Sequence, residues 1–307
     1  VATDLSERAI AYTRATALLC DRTIDARASD GAMAVQGERF DWIVCQPPFV
    51  PRPPSLAEST TYLHGGARGD ELAWRLFRES APLLAHGGTA LFRLDLAGSP
   101  EEAAARIEAE VPTSSYLAFV CAGPSASELA MAYAAAHRAS LDASVEADAN
   151  AYAEAFEAAG ITRMSGAIVV AWNGDPKVRA KRLVPSLSRV DARRIAIGRA
   201  SIERATLPDP ILARVTASVP EGAVLTSSTE LTTRKSRIVL ESPHASPIEL
   251  SEPVALLIDV IAQGASLEEA AESLSRAIER SPDEALEATL RFARDALRNG
   301  LLEVAPD

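Results

Sequence analysis

Phe40-Asp41-Trp42-Ile43-Val44-Cys45 is a short apolar run that stops abruptly at Gln46-Pro47-Pro48-Phe49. A run of that length and composition reads as a buried strand, and ligands of open α/β sheets bind just past the carboxyl ends of their strands. Neither Pro47 nor Pro48 carries a backbone N–H, and each fixes φ, so the turn is stiff. A carbonyl at such a corner is left as an outward acceptor, the Gln46 amide oxygen is a second, and Phe49 offers a flat face. Together they suit a planar NH2 group: two acceptors take up its protons and leave the nitrogen lone pair directed at an electrophile. A plainer reading stands beside this one, in which the prolines merely end a strand and Phe49 packs in a core. The surroundings have to separate the two.

Those surroundings read as a βα-repeating domain. Val1-Ala2-Thr3-Asp4 ends a strand, and residues 6–19 form a helix with Ser6 as its N-cap. Residues 23–28 form a short strand, and after the corner Pro51, Pro53 and Pro54 hold an extended loop. A helix is expected over 70–84, a turn at Gly87-Gly88 and a strand over 89–94. Residues 116–121 read as a strand, and an alanine-rich helical stretch over 125–159, broken near Ser140, stops at Gly160. A strand over 161–172 then completes a mixed sheet.

Set in that frame, the corner resembles the (N/D)-P-P-(Y/F) motif of class I S-adenosylmethionine-dependent methyltransferases. Members with this motif act on amide or aromatic-amine nitrogens, and include protein glutamine methyltransferases and adenine and guanine N-methyltransferases. Further segments fall in the order the family has them. Val1-Ala2-Thr3-Asp4-Leu5-Ser6-Glu7-Arg8-Ala9 is similar to the family's second strand, whose terminal acid binds the cofactor ribose. Ser29-Asp30-Gly31 takes the place of the loop that meets the adenine. His64-Gly65-Gly66-Ala67-Arg68-Gly69-Asp70 resembles the glycine-rich loop after the proline motif, and Leu83-Leu84-Ala85-His86-Gly87-Gly88 the turn into the fifth strand.

The resemblance implies a Rossmann-like sheet and S-adenosylmethionine as cofactor. It assigns cofactor contacts to Asp4, Leu5, Ser29, Asp30, Gly31 and Gln46, and the orientation of the methyl acceptor to Gln46, Pro47, Pro48 and Phe49. Asp4 would accept both ribose hydroxyls through strong charge-assisted bonds. Its plainer role is to cap the helix that follows. His64 reads as a loop residue rather than a base, because the nitrogen loses its proton after attack and near-attack positioning does most of the work. Two departures stand out. The family has Asn or Asp where this chain has the longer Gln46, which displaces the acceptor oxygen. The glycine loop that supports the methionine part of the cofactor is missing, and with it the first strand; both are expected upstream of Val1.

From Lys177 to Arg204 the chain turns basic, with Lys177, Arg179, Lys181, Arg182, Arg189, Arg193, Arg194, Arg199 and Arg204 against Asp191 and Glu203. Strands over 223–225 and 236–240 follow, then helices over 252–263, 267–280 and 282–299, a cap at Gly300 and a closing strand over 301–304. This end loosely resembles a winged-helix-like module. The expected organisation is therefore a methyltransferase domain over 1–174, a basic linker or helical connection over 175–214, and an accessory domain over 215–307.

Bulk composition narrows the partners. At 48% hydrophobic and 24% charged residues the chain is a soluble globular type. A formal charge of −11 disfavours sequence-blind nucleic-acid binding. No apolar run reaches the roughly 18 residues of a membrane span, and no signal peptide is read. Cys20, Cys45 and Cys121 are scattered, so neither a disulfide framework nor a metal site is expected, and a cytoplasmic location fits. The preferred reading is methyl transfer to a planar nitrogen of a protein side chain or small natural product. A nucleobase N-methyltransferase and a degenerate, non-catalytic binding module are the alternatives; the acceptor and the oligomeric state stay open.

Overall fold

A computed structural model describes residues 1–56, 63–111, 114–136, 144–174, 177–229, 236–242 and 245–306. The chain divides into two compact units, interleaved in sequence: Val1–Gly98, Pro124–Met164 and Ala171–Gly174 in one, Ser99–Gly123, Ser165–Val170 and Asp175–Asp307 in the other. The elements run β1 (Ala2–Asp4), α1 (Glu7–Leu19), β2 (Ala26–Ala28), β3 (Phe40–Cys45), β4 (Val50–Pro51), β5 (His64–Gly66), α2 (Glu71–Ser80) and β6 (Leu84–Ala97). Then come α3 (Pro100–Glu110), β7 (Ser115–Ser125), α4 (Ala126–Ala136), α5 (Val145–Ala158), β8 (Arg163–Trp172) and β9 (Arg179–Leu183). The rest is α6 (Ala192–Arg204), α7 (Asp209–Leu212), β10 (Val224–Thr229), β11 (Ser236–Ser242), β12 (Ala245–Leu250), α8 (Glu252–Ala262), α9 (Leu267–Ile278) and α10 (Pro282–Asn299). The protein is thus mixed α/β.

In the first unit β1 pairs with β2 and β3 with β6, both parallel. Strand β6 shows why it folds as it does. Phe92, Leu94 and Leu96 are buried on one face, while Arg93, Asp95 and Ala97 alternate with them, half-buried. Helix α2 lays Trp74 and Phe77 into the same core, with the Phe77 and Phe92 rings edge-to-face at 5.2 Å. Ser6 caps α1, as its position indicates, accepting from the Ala9 amide.

Strand β3 departs from expectation. Its apolar run reads as buried, yet Trp42 is 64% and Val44 73% exposed. Side chains of a strand alternate between faces. The face bearing Ile43 packs with Ala32, Val35 and Leu83; the face bearing Trp42 and Val44 is left uncovered by the described residues. Helix α1 is similar, burying only Ile10 while Leu18 and Leu19 face outward.

In the second unit β9 lies parallel to β7, with Tyr116 opposite Arg179. That strand falls in the segment read as linker, where composition signals charge rather than an element. Strands β10, β11 and β12 form an antiparallel meander, and with α8, α9 and α10 they enclose a core of Leu240, Leu257, Ile258, Ile261, Leu290 and Leu297. Reciprocal capping boxes at Ser266–Glu269 and Ser281–Glu284 start the last two helices, and Gly300 ends α10 at φ 76°. The closing strand expected over 301–304 is a single bridge, Glu303 exchanging two 2.8 Å backbone bonds with Ser218.

Candidate active site

Strand β3 delivers Gln46 exposed, Pro47 buried, and Pro48 and Phe49 half-buried. Val50 then opens β4, which pairs parallel with β5 so that Val50 stands opposite His64. The Val50 amide donates to the Leu63 carbonyl at 3.1 Å and the Arg52 amide to the Gly66 carbonyl at 2.8 Å. This pairing lays the glycine-rich loop on the proline corner. A Cβ on Gly65 would lie closer than 3.0 Å to the Pro48 carbonyl oxygen, and a Cβ on Gly69 closer than 3.0 Å to that of Phe49. Gly69 also has φ +92° and Gly66 φ +122°, which L side chains rarely adopt. The backbones meet there because no side chain intervenes.

Helix α2 anchors the loop from the other side. The Arg68 amide donates to both Glu71 carboxylate oxygens, at 3.0 and 3.2 Å. Buried Asp70 accepts from the Trp74 indole at 3.1 Å. One turn further on, Arg75 donates to Asp30 at 2.7 Å and to Glu79 at 3.2 Å. The Arg75 guanidinium holds the Asp30 carboxyl below the usual carboxylate range. Helix α2 therefore touches both the loop clasping the corner and the loop after β2.

Of the residues assigned to the cofactor, Asp4, Leu5, Ser29, Asp30 and Gly31 follow or end β1 and β2, while Gln46 follows β3. The Ser29 amide donates to the Asp4 carbonyl at 2.8 Å, and the Ser29 hydroxyl to the Gly31 carbonyl at 3.0 Å. Asp4 is exposed and accepts the Ser6 amide at Oδ1, 2.7 Å away, a local turn bond to the residue that itself caps α1, so the cap is Ser6 and not Asp4. Oδ2 has no hydrogen-bond partner among the described residues. Leu5 is 62% exposed. Gly31 has φ +58°, and a Cβ on it would collide with Glu79.

Behind the corner lies an aromatic cluster that sequence reading missed. Phe49 packs with Val50 and Leu63 against Leu129 of α4 and Tyr152 and Phe156 of α5. His64 Nε2 and the Tyr152 hydroxyl are 3.3 Å apart, and the Tyr133 and Tyr152 rings 5.6 Å. Burial pushes the Tyr133 phenol well above its ordinary range, and the nearby Asp95 charge adds to this. His64 is thus a bonded residue of the corner's surroundings rather than loop decoration. Its partner is 88 residues away in the chain, and no local pattern announces such a pairing. At the end of β3, burial raises the Cys45 thiol to about 11, which leaves it protonated and unreactive at neutral pH.

No protein-family model matches the chain, and no curated protein matches its sequence. Among solved structures the chain is similar to PKMT2 from Rickettsia typhi, at 11% identity and a TM-score of 0.34, over 99% of this chain and 66% of that one. The same protein in complex with AdoHcy gives 10% and 0.35. Coclaurine N-methyltransferase bound to N-methylheliamine and SAH gives 12% and 0.31, over 55% of this chain and 59% of that one. The chain spans about two thirds of the length of PKMT2.

Proposed function

We propose that residues 1–174 form a methyl-transfer domain that binds S-adenosylmethionine and directs its methyl group to a planar amide or amine nitrogen. One observation carries this reading: the diproline corner at the carboxyl end of β3 is clasped by a glycine loop that fits only without side chains. The Pro48 and Phe49 carbonyls face that loop, which leaves the Pro47 carbonyl and the exposed Gln46 amide as the corner's acceptors. Two acceptors there hold the NH2 protons while Phe49 backs the acceptor plane.

The chain's residues fit the cofactor in one testable respect. Asp4 is exposed with Oδ2 open, and a backbone bond sets it beside Ser29. Asp4 and Leu5 would hold the ribose and Ser29, Asp30 and Gly31 the adenine. When bound, the cofactor supplies an electrophilic methyl on a sulfonium sulfur. The residues of the corner would hold the two NH2 protons and orient the nitrogen lone pair toward that methyl group. Positioning and exclusion of water are then the main contributions.

A protein side chain or small molecule ranks above nucleic acid as acceptor. Much of the basic run is paired within its own unit: Lys181 with Glu108 at 2.6 Å, Arg193 with Glu221 at 3.6 Å, and Arg194 with Glu303. Residues 215–307 are read as a winged-helix-like accessory domain joined through 175–214. Calorimetric titration of S-adenosylhomocysteine into the longest native form of the protein tests the proposal. Saturable binding that weakens in Asp4→Asn is the expected result; no binding leaves the chain as a non-catalytic module.

A further inference from the structure

The proposed corner offers only acceptors, to the NH2 protons of its substrate. A carboxamide also carries a carbonyl oxygen, which needs a donor. Strand β6 has one beside the corner. Cys45 lies opposite Phe92 in the parallel pairing of β3 with β6, so Gln46 and Arg93 come next on the two neighbouring segments. Phe92, Leu94 and Leu96 point into the core. Arg93 and Asp95 take the other face of β6, where Val44 stands exposed opposite Leu91.

The Arg93 side chain runs toward the carboxyl end of β6, the end at which ligands of such sheets bind. Its Nη1 donates to the Leu94 carbonyl and, at 2.9 Å, to Asp95 Oδ1. Its Nε and Nη2 donate to none of the described residues. The side chain is 35% exposed, so the guanidinium is anchored through one nitrogen and still reachable. Burial raises the Tyr133 phenol and the Asp95 charge adds to it, which makes these two side chains neighbours. Tyr133, Phe49 and Ala97, the last on the Asp95 face of β6, pack on one aromatic cluster. The guanidinium and the flat face of Phe49 thus belong to the same end of the strand pair. Arg93 and Asp95 together carry no net charge, so the pair favours neither an anion nor a cation. What it leaves open is a charged N–H edge, a strong donor to a neutral carbonyl oxygen.

We infer that Arg93 sets the acceptor class: its unused N–H groups hold the carbonyl oxygen of a carboxamide whose NH2 is held by Gln46 and the Pro47 carbonyl. Asp95 is the positioning residue that fixes the guanidinium along the strand. The inference rests on the methyl-transfer reading and narrows its acceptor from an amide or amine to a carboxamide. An amine has no oxygen to place against Arg93 and gains nothing there. All the residues involved lie in the first unit.

Ligand-observed NMR titration of the whole chain with benzamide and with aniline tests it. Both probes are flat and carry an NH2 group, and only benzamide has a carbonyl. The expected result is saturable benzamide binding about tenfold tighter than that of aniline. Arg93→Met lowers benzamide affinity to the aniline level and leaves aniline unchanged, and Arg93→Lys, which keeps a charged donor, recovers part of the preference. Asp95→Asn, which loosens the anchor, weakens benzamide less than Arg93→Met does and again spares aniline. Equal binding of the two probes, no benzamide binding, or a preference that survives Arg93→Met overturns the inference. S-adenosylhomocysteine titrated into the same parent sample tells the two failures apart. Cofactor binding without a benzamide preference sinks the role of Arg93 alone, whereas no cofactor binding sinks the methyl-transfer reading and this inference with it.

Discussion

Gly69 stands so close to the carbonyl oxygen of Phe49 that a Cβ on it would fall inside 3.0 Å. Its φ of +92° adds a second constraint. Gly69→Ala therefore meets both strain and collision, whereas Gly87→Ala, at φ +74° with nothing within 4 Å, meets strain alone. Gly87→Ala is expected to cost about 1–2 kcal/mol. Gly69→Ala is expected to cost clearly more and to loosen the corner. Urea unfolding of the two variants side by side checks this, and equal losses would show that the contact is soft.

Tyr152 and His64 join α5 to the strand behind the corner through one 3.3 Å hydrogen bond. Tyr152→Phe is expected to lower stability by about 0.5–1.5 kcal/mol. A double-mutant cycle with His64→Ala is the measurement, and a coupling energy near zero would dissolve the link.

Asp4→Asn separates the local turn bond of Asp4 from its proposed cofactor role. The amide oxygen still accepts the Ser6 N–H, so the unfolding free energy should stay within about 0.5 kcal/mol of the parent. Loss of the charge should weaken S-adenosylhomocysteine binding about 10- to 100-fold. Unchanged affinity by calorimetry removes Asp4 from the ribose.

Gln46→Ala deletes an acceptor at the end of β3, away from the ribose and adenine residues proposed at the ends of β1 and β2. With radiolabelled cofactor and an identified acceptor, turnover should fall on the order of 100-fold, while S-adenosylhomocysteine affinity stays near the parent value. Equal loss of both would refute the orienting role.

Cys45 supplies a pH signature. Burial raises its thiol from 9.0 to about 11 in the folded chain. A group whose folded pKa is raised contributes stability that is whole below the unfolded pKa and lost as pH climbs through the folded one. Denaturation midpoints should therefore decline between pH 9.0 and about 11, and Cys45→Ala should lack that component. Iodoacetamide at mildly alkaline pH should modify exposed Cys20 while sparing Cys45.

Short-range chemistry was enough to place much of the chain. Proline geometry puts the corner after Cys45, the Ser6 side chain caps the helix that follows it, and a left-handed glycine at Gly300 ends the last one. Each of these effects acts within a few residues, so each is written where it occurs. Three features were not legible in that way. Strand β9 pairs with β7 across 63 residues in a segment that advertises only charge, and Arg182 finds the end of α10 across 115. Trp42 and Val44, apolar enough to read as core, remain exposed because burial belongs to whatever packs over a strand and not to the strand itself. Residue types name the groups that can do chemistry; only closure of the chain decides which of them meet, since a contact between distant segments leaves no periodicity behind.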